Sequence, residues 1–227
     1  MSIKIPELGF DSPGKTYNVG NVASILGAVI QVSIKSGSLQ NASVGLGQYF
    51  VGNAPAAAVT LASLIFFWGG GIYDDAWKNG FPPDARKNNI GHLFSVAGAT
   101  LLASGLALLS VADPIAEGSA ILGGALHAGG KLGSVVDPQR DSFYKMLPLM
   151  SRVPTFAAAA YDVCSNVSKY HPGSPEAWLL SILPMTYMLC SLIWARGDIM
   201  LMPEGRAKNV LGRLFRAPQL QGSPSQP

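Results

Sequence analysis

The chain has 227 residues, 48% of them apolar and only 13% charged, about half the charge of an ordinary globular domain. Its +3 formal charge comes from basic residues scattered singly, with no aromatic interleaving and no finger, KH or RRM pattern, so a nucleic-acid partner is excluded. Long apolar blocks exclude a disordered chain, and the glycines lack the three-residue period of collagen.

Taken in chain order, residues 1–16 read as a cytoplasmic tail. They hold no uninterrupted apolar core of a cleaved signal peptide, and neither chain end carries a lipidation signal. About 20 mainly apolar residues cross a bilayer as helix. Tyr17–Ile34 is uncharged but holds Asn18, Asn21 and Gln31. Tyr49–Tyr73 is apolar, includes Asn53 and Pro55, and stops at Asp74-Asp75. Gly91–Ala112 is rich in Leu, Ala and Val. Gly118–Val136 holds His127 and Lys131, Met146–Tyr161 holds Arg152 between Pro148 and Pro154, and Ala177–Ala195 contains Pro184 and stops at Arg196.

This pattern predicts an all-α, polytopic integral membrane protein with six transmembrane helices near 17–34, 49–73, 91–112, 118–136, 146–161 and 177–195. The transmembrane domain spans 17–195 and a basic cytoplasmic tail, Pro-rich at its end, covers 196–227. A four-helix version lacking the fourth and fifth segments is also consistent at its ends. Charge orients the six. Lys4, Lys15, Lys78, Arg86, Lys87, Arg140, Lys145, Arg196, Arg206, Lys208, Arg213 and Arg216 fall inside, against Lys35 and Lys169 outside. By the positive-inside rule this places the chain in a bacterial inner membrane with both termini cytoplasmic.

Residues 17–28 align with 88–99 at an offset of 71, with Asn18, Gly20, Ser24 and Gly27-Ala28 meeting Asn89, Gly91, Ser95 and Gly98-Ala99. Three helical hairpins in series would generate such echoes, and so would chance resemblance among small-residue segments.

Gly98, Gly105, Gly123, Gly124, Gly129 and Gly133 are candidate helix-packing positions, Gly129 and Gly133 having GxxxG spacing. His127 and Lys131 lie four apart on one helical face, and Arg152 follows on the next segment. With Gln31 and Asn53 they are candidates for an intramembrane polar contact or a solute route, since buried ionisable groups need a partner or cavity. Snorkelling to the headgroups is the plainer alternative for Lys131 and Arg152. Arg206, Lys208, Arg213 and Arg216, around an apolar Val210–Phe215, are candidate inner-surface or partner contacts.

Catalytic motifs are missing from the sequence. His92, His127 and His171 lie in no HExxH, Cys164 and Cys190 form no CxxC, there is no GxSxG, and Gly69-Gly70-Gly71 lacks the Lys-Ser/Thr of a phosphate loop. The expectation is a protein without catalytic, metal or cofactor-binding residues, not an enzyme. Its predicted function is a membrane subunit that helps assemble a larger complex, such as a secretion or conjugation apparatus. The alternative is a small-solute or ion transporter or channel. Expected partners are the lipid bilayer and other membrane subunits or further copies of the chain.

Overall fold

The computed structural model describes residues 6–35, 54–78, 85–109, 113–171, 173–202 and 204–214. Six long helices dominate: α1 (Pro13–Lys35), α2 (Ala54–Lys78), α3 (Ala85–Leu109), α4 (Pro114–Val136), α6 (Met146–Lys169) and α7 (Pro175–Leu201). A 3-10 turn (Pro138–Arg140) and the short α5 (Asp141–Tyr144) join α4 to α6, and a terminal α8 spans Arg206–Leu214.

Local chemistry sets several of the starts. Ser12-Pro13, Asp113-Pro114 and Ser174-Pro175 each put a capping side chain ahead of a proline whose missing N–H is no loss in a first turn. Asp113 accepts from the amides of Ile115 and Ala116 at 2.9 and 3.2 Å, and the Ser174 hydroxyl accepts from the amide of Ala177 at 3.3 Å. Inside α7, Pro184 has no N–H to give the carbonyl of Leu180. Asn166 of α6 donates its side-chain N–H to that oxygen at 3.3 Å, so the defect becomes an interhelical hydrogen bond.

The long helices close into a ring. Each packs on the next in order, α1 on α2, α2 on α3, α3 on α4, α4 on α6 and α6 on α7, and α7 returns to α1. Neighbours run antiparallel, as where Gly14 faces Asp74 and Ser24 meets Ser63 between α1 and α2, and Gly20 faces Trp194 and Gly27 faces Thr186 between α1 and α7. One end of the bundle therefore collects the starts of α1, α3 and α6 and the ends of α2, α4 and α7. The segments aligned as a repeat lie on α1 and α3, the two helices flanking α2. A core of Val59, Phe66, Leu102, Leu106, Leu183, Tyr187, Cys190 and Trp194 fills the interior. The exterior is apolar in places, with Leu61, Trp68, Ile121, Leu122, Val153 and Leu189 standing outward.

The all-α architecture and the positions of the helices agree with the sequence reading, but their assignment as six membrane spans is corrected. Among the described residues only Asn89–Leu108 and Ala177–Leu201 are long and apolar enough to cross a bilayer. The other long helices carry polar groups that face one another inside the bundle: Thr16, Asn18, Asn21 and Ser24 on α1, Ser63 and Asp74 on α2, His127 and Lys131 on α4, and Ser151, Arg152 and Thr155 on α6.

The expectations that rested on six crossings are corrected with it. The twelve-to-two charge asymmetry orients nothing without those crossings, so the bacterial inner-membrane location with two cytoplasmic termini is not supported. The bilayer, other membrane subunits and further copies of the chain were invoked to satisfy small-residue faces and buried charges. Most of the small-residue positions and the Arg152 charge are met by other helices of the chain, which removes the argument for those partners and for a secretion or conjugation subunit. The transporter or channel alternative needs a polar path along the helices. His127, Lys131 and Arg152 instead gather around one pocket at one end of the bundle.

The packing glycines show how local the steric logic is. Gly98 faces the Phe66 ring, Gly123 faces Thr155, Gly124 faces Ala103, Gly133 faces Tyr144, and Gly105 is buried. Gly129, half of the GxxxG pair, has open space where a Cβ would stand. Its neighbour Gly130 is the tight one. A Cβ there would sit 2.7 Å from the carbonyl oxygen of Tyr144 and 2.5 Å from Cδ of Pro148. Gly130→Ala should therefore cost about 1–3 kcal/mol through overpacking against backbone. Gly129→Ala should be neutral or stabilise by up to about 1 kcal/mol through helix propensity. Denaturant unfolding of the two variants checks this opposition of sign.

Candidate functional site

All six long helices contribute to one interior pocket. It is lined by Tyr17 of α1, Phe66, Gly70 and Tyr73 of α2, Ser95 of α3, His127 and Lys131 of α4, Arg152 of α6, and Trp194 of α7. Because neighbours are antiparallel, these positions lie at the same end of the bundle although they span most of the chain. The centre of a water molecule has about 20 Å³ to move in there, room for one or two waters or an ion of similar size.

The anchor is Asp198, on the last turns of α7 and 2% exposed. Its Oδ2 accepts from Nε of Arg152 at 2.7 Å, and its Oδ1 accepts from the hydroxyl of Tyr17. The Arg152 guanidinium lies 5.3 Å from the centre of the Trp194 ring, and the Trp194 indole N–H donates to Oδ1 of Asn21 at 3.0 Å. Three helices are thus tied around one ion pair: α6 through Arg152, α7 through Asp198 and Trp194, α1 through Tyr17 and Asn21. Burial, reinforced by the Asp198 carboxylate, pushes the Tyr17 hydroxyl well above its ordinary range, so it stays a donor.

Among the described residues Lys131 has no such partner. It is 7% exposed, and its ammonium sits 5.1 Å from the ring centre of Tyr73 and 5.6 Å from that of Tyr17. Two aromatic faces attract a cation but do not neutralise it. Burial pushes Lys131 down to about 8; Asp198 pulls against that shift and Arg152 adds to it.

His127 packs edge-on against Phe66 with ring centres 5.4 Å apart, and neither of its ring nitrogens has a hydrogen-bond partner among the described residues. Burial, with Arg152 and Lys131 nearby, holds it well below the ordinary histidine range, so it is a neutral imidazole with one donor and one acceptor free. His92, ring centre 4.9 Å from that of Tyr73, is pushed down to about 3 by burial and by Lys131 and Lys145.

The structure brings together three of the predicted polar candidates, His127, Lys131 and Arg152. Gln31 lies on α1 with its side chain not described, and Asn53 falls outside the described residues. Of the basic tail, Arg206, Lys208 and Arg213 lie on α8; Lys208 pairs with Glu204 at 2.6 Å, Arg213 is exposed, and Arg216 lies outside the described residues.

Asp198, Tyr17, Tyr73 and Trp194 were not singled out in the sequence. Asp198 was taken as part of a tail beginning at Arg196, yet α7 continues to Leu201. Helical spacing was the available signal: Trp194, Asp198 and Leu201 recur at four and three residues, which puts the carboxylate on the buried face. No group of three or more His, Cys, Asp and Glu able to hold a metal ion occurs among the described residues.

Comparison with family models, curated proteins and solved structures finds no match to this chain.

Proposed function

We propose that this helical bundle is a binding module for a small monovalent anion, held in the pocket at Lys131. The observation that carries this reading is the charge balance of the cluster. Arg152 and Asp198 neutralise one another, and Lys131 is a buried cation against ring faces with no ion-pair partner among the described residues. One negative charge completes the set. A dianion would reverse the imbalance, and a neutral solute would leave it. The unpartnered nitrogens of His127 supply a directional contact for an oxygen of the ligand. The volume restricts the guest to the size of chloride, nitrate or formate unless side chains move. The reading is non-enzymatic: the site holds a solute and performs no bond-breaking step.

Calorimetric titration with sodium nitrate, formate and chloride, followed in parallel by Trp194 fluorescence, tests it. The expected result is one saturable site, weaker for sulfate and lost in Lys131→Met. Binding should be strongest below pH 8 and weaken about tenfold per pH unit once the free-site Lys131 sheds its proton. No saturable binding, or equal binding by Lys131→Met, would overturn the reading.

A further inference from the structure

Three polar side chains that line the pocket keep hydrogen-bonding capacity that the fold does not use. Lys131, Arg152 and His127 are 7%, 6% and 4% exposed. Asp198 engages Arg152 through Nε alone, at 2.7 Å. Among the described residues neither terminal amino group of that guanidinium donates to a protein acceptor. Lys131 meets two ring faces, which attract its charge but take none of its N–H groups as a carboxylate would. His127 differs in kind from these two donors. Both of its nitrogens are buried without a partner, and a neutral imidazole has one that donates and one that accepts.

The two cations set the shape of the guest. A guanidinium holds its amino N–H groups in one plane and grips the oxygens of a planar oxyanion, a geometry that a spherical halide cannot use. The accepting nitrogen of His127 adds a second condition. Lys131 and Arg152 can only donate, so they satisfy a guest that only accepts, but such a guest leaves this nitrogen unmet. A buried acceptor left without a donor carries its desolvation cost into the complex. Chloride, nitrate and formate have no proton to give. Hydrogencarbonate has one. It is a planar monoanion built on the same frame as nitrate, with two oxygens sharing the charge and a third bearing hydrogen.

We propose that the anion held here is hydrogencarbonate, its charged oxygens at Lys131 and Arg152 and its O–H donated to the accepting nitrogen of His127. This rests on the anion-binding reading and narrows it from any small monoanion to one that carries a hydroxyl. Lys131 then sets the charge of the guest, and His127 selects among guests of equal charge and similar size.

The test is a titration series on the full chain with the sodium salts of hydrogencarbonate, nitrate, formate and chloride, in halide-free buffer at pH 7.5 and in a sealed cell. Hydrogencarbonate should bind at least about tenfold more tightly than nitrate, and nitrate more tightly than chloride. His127→Leu should bring the hydrogencarbonate-to-nitrate ratio down to about one. A wild type that binds nitrate and hydrogencarbonate equally would mean that the acceptor is met otherwise, as by a water in the adjoining cavity bordered by His127, Ser151 and Thr155. That result, a preference for chloride, or a preference that survives in His127→Leu overturns the hydrogencarbonate assignment while the anion site stands. If none of the four binds, both readings fall. The wild-type series decides between these outcomes even if His127→Leu does not fold.

Discussion

Asp198→Asn should be the most destabilising conservative substitution in the bundle, costing about 3–5 kcal/mol, because it strips the counter-charge from a buried guanidinium. Asparagine keeps the volume and one acceptor, so the loss reports charge rather than packing. Both partners are deeply buried, their side chains 7% and 1% exposed, and Tyr17 loses its anionic acceptor in the same change. Equilibrium unfolding in denaturant measures it. The double variant Arg152→Met/Asp198→Leu is the informative companion. With both charges gone nothing is left unpaired, and most of the stability should return. A double variant as unstable as Asp198→Asn would show that shape, not charge balance, holds α6, α7 and α1 together at this end.

Lys131→Met should do the opposite and stabilise the fold at neutral pH. Folded Lys131 titrates at about 8 against an ordinary lysine value of 10.5. Below pH 8 the amine is charged in both the folded and unfolded states, and the wild type bears the full burial penalty. Between pH 8 and 10.5 the unfolded chain retains a proton that the folded chain has released, so wild-type stability rises with pH across that window. Methionine fills similar space without the charge. The variant should exceed the wild type by on the order of 3 kcal/mol at pH 7, with the two converging above pH 10.5. Unfolding curves at pH 7, 9 and 10.5 check the convergence. A pH-independent difference would mean that packing, not charge, is the cause. A residue that lowers stability yet occupies a pocket is the pattern expected where function rather than folding sets the side chain.

Helix positions were legible because they depend on local pattern. The six segments read from hydropathy overlap the six long helices, and Ser-Pro or Asp-Pro pairs mark three of their starts. The pairing of His127 with Lys131 was legible too, since four residues return a helix to the same face. The environment of those helices was not. Gly123, Gly124 and Gly133 carry the same composition whether they face a lipid-embedded partner or another helix of their own chain, and here they face Thr155, Ala103 and Tyr144. Low charge content misled for the same reason. The interior absorbs Lys131, Arg152 and Asp198, and a hydropathy window averages over them without recording that they meet.

The division follows from the range of the forces involved. Helix propensity, capping and apolar periodicity act over a few residues, so the sequence by itself determined an all-α chain, the approximate extent of its long helices, and the shared face of His127 and Lys131. Ring closure of α7 onto α1 brings Asp198 to Tyr17 across 181 positions, and the antiparallel turn of α6 brings Arg152 to Asp198 across 46. No local rule specifies either meeting. Only the tertiary structure decided which cation is paired and that Lys131 faces two aromatic rings. Burial makes each of these consequential, because the interior leaves a charge or an imidazole nothing to meet except what the other helices deliver.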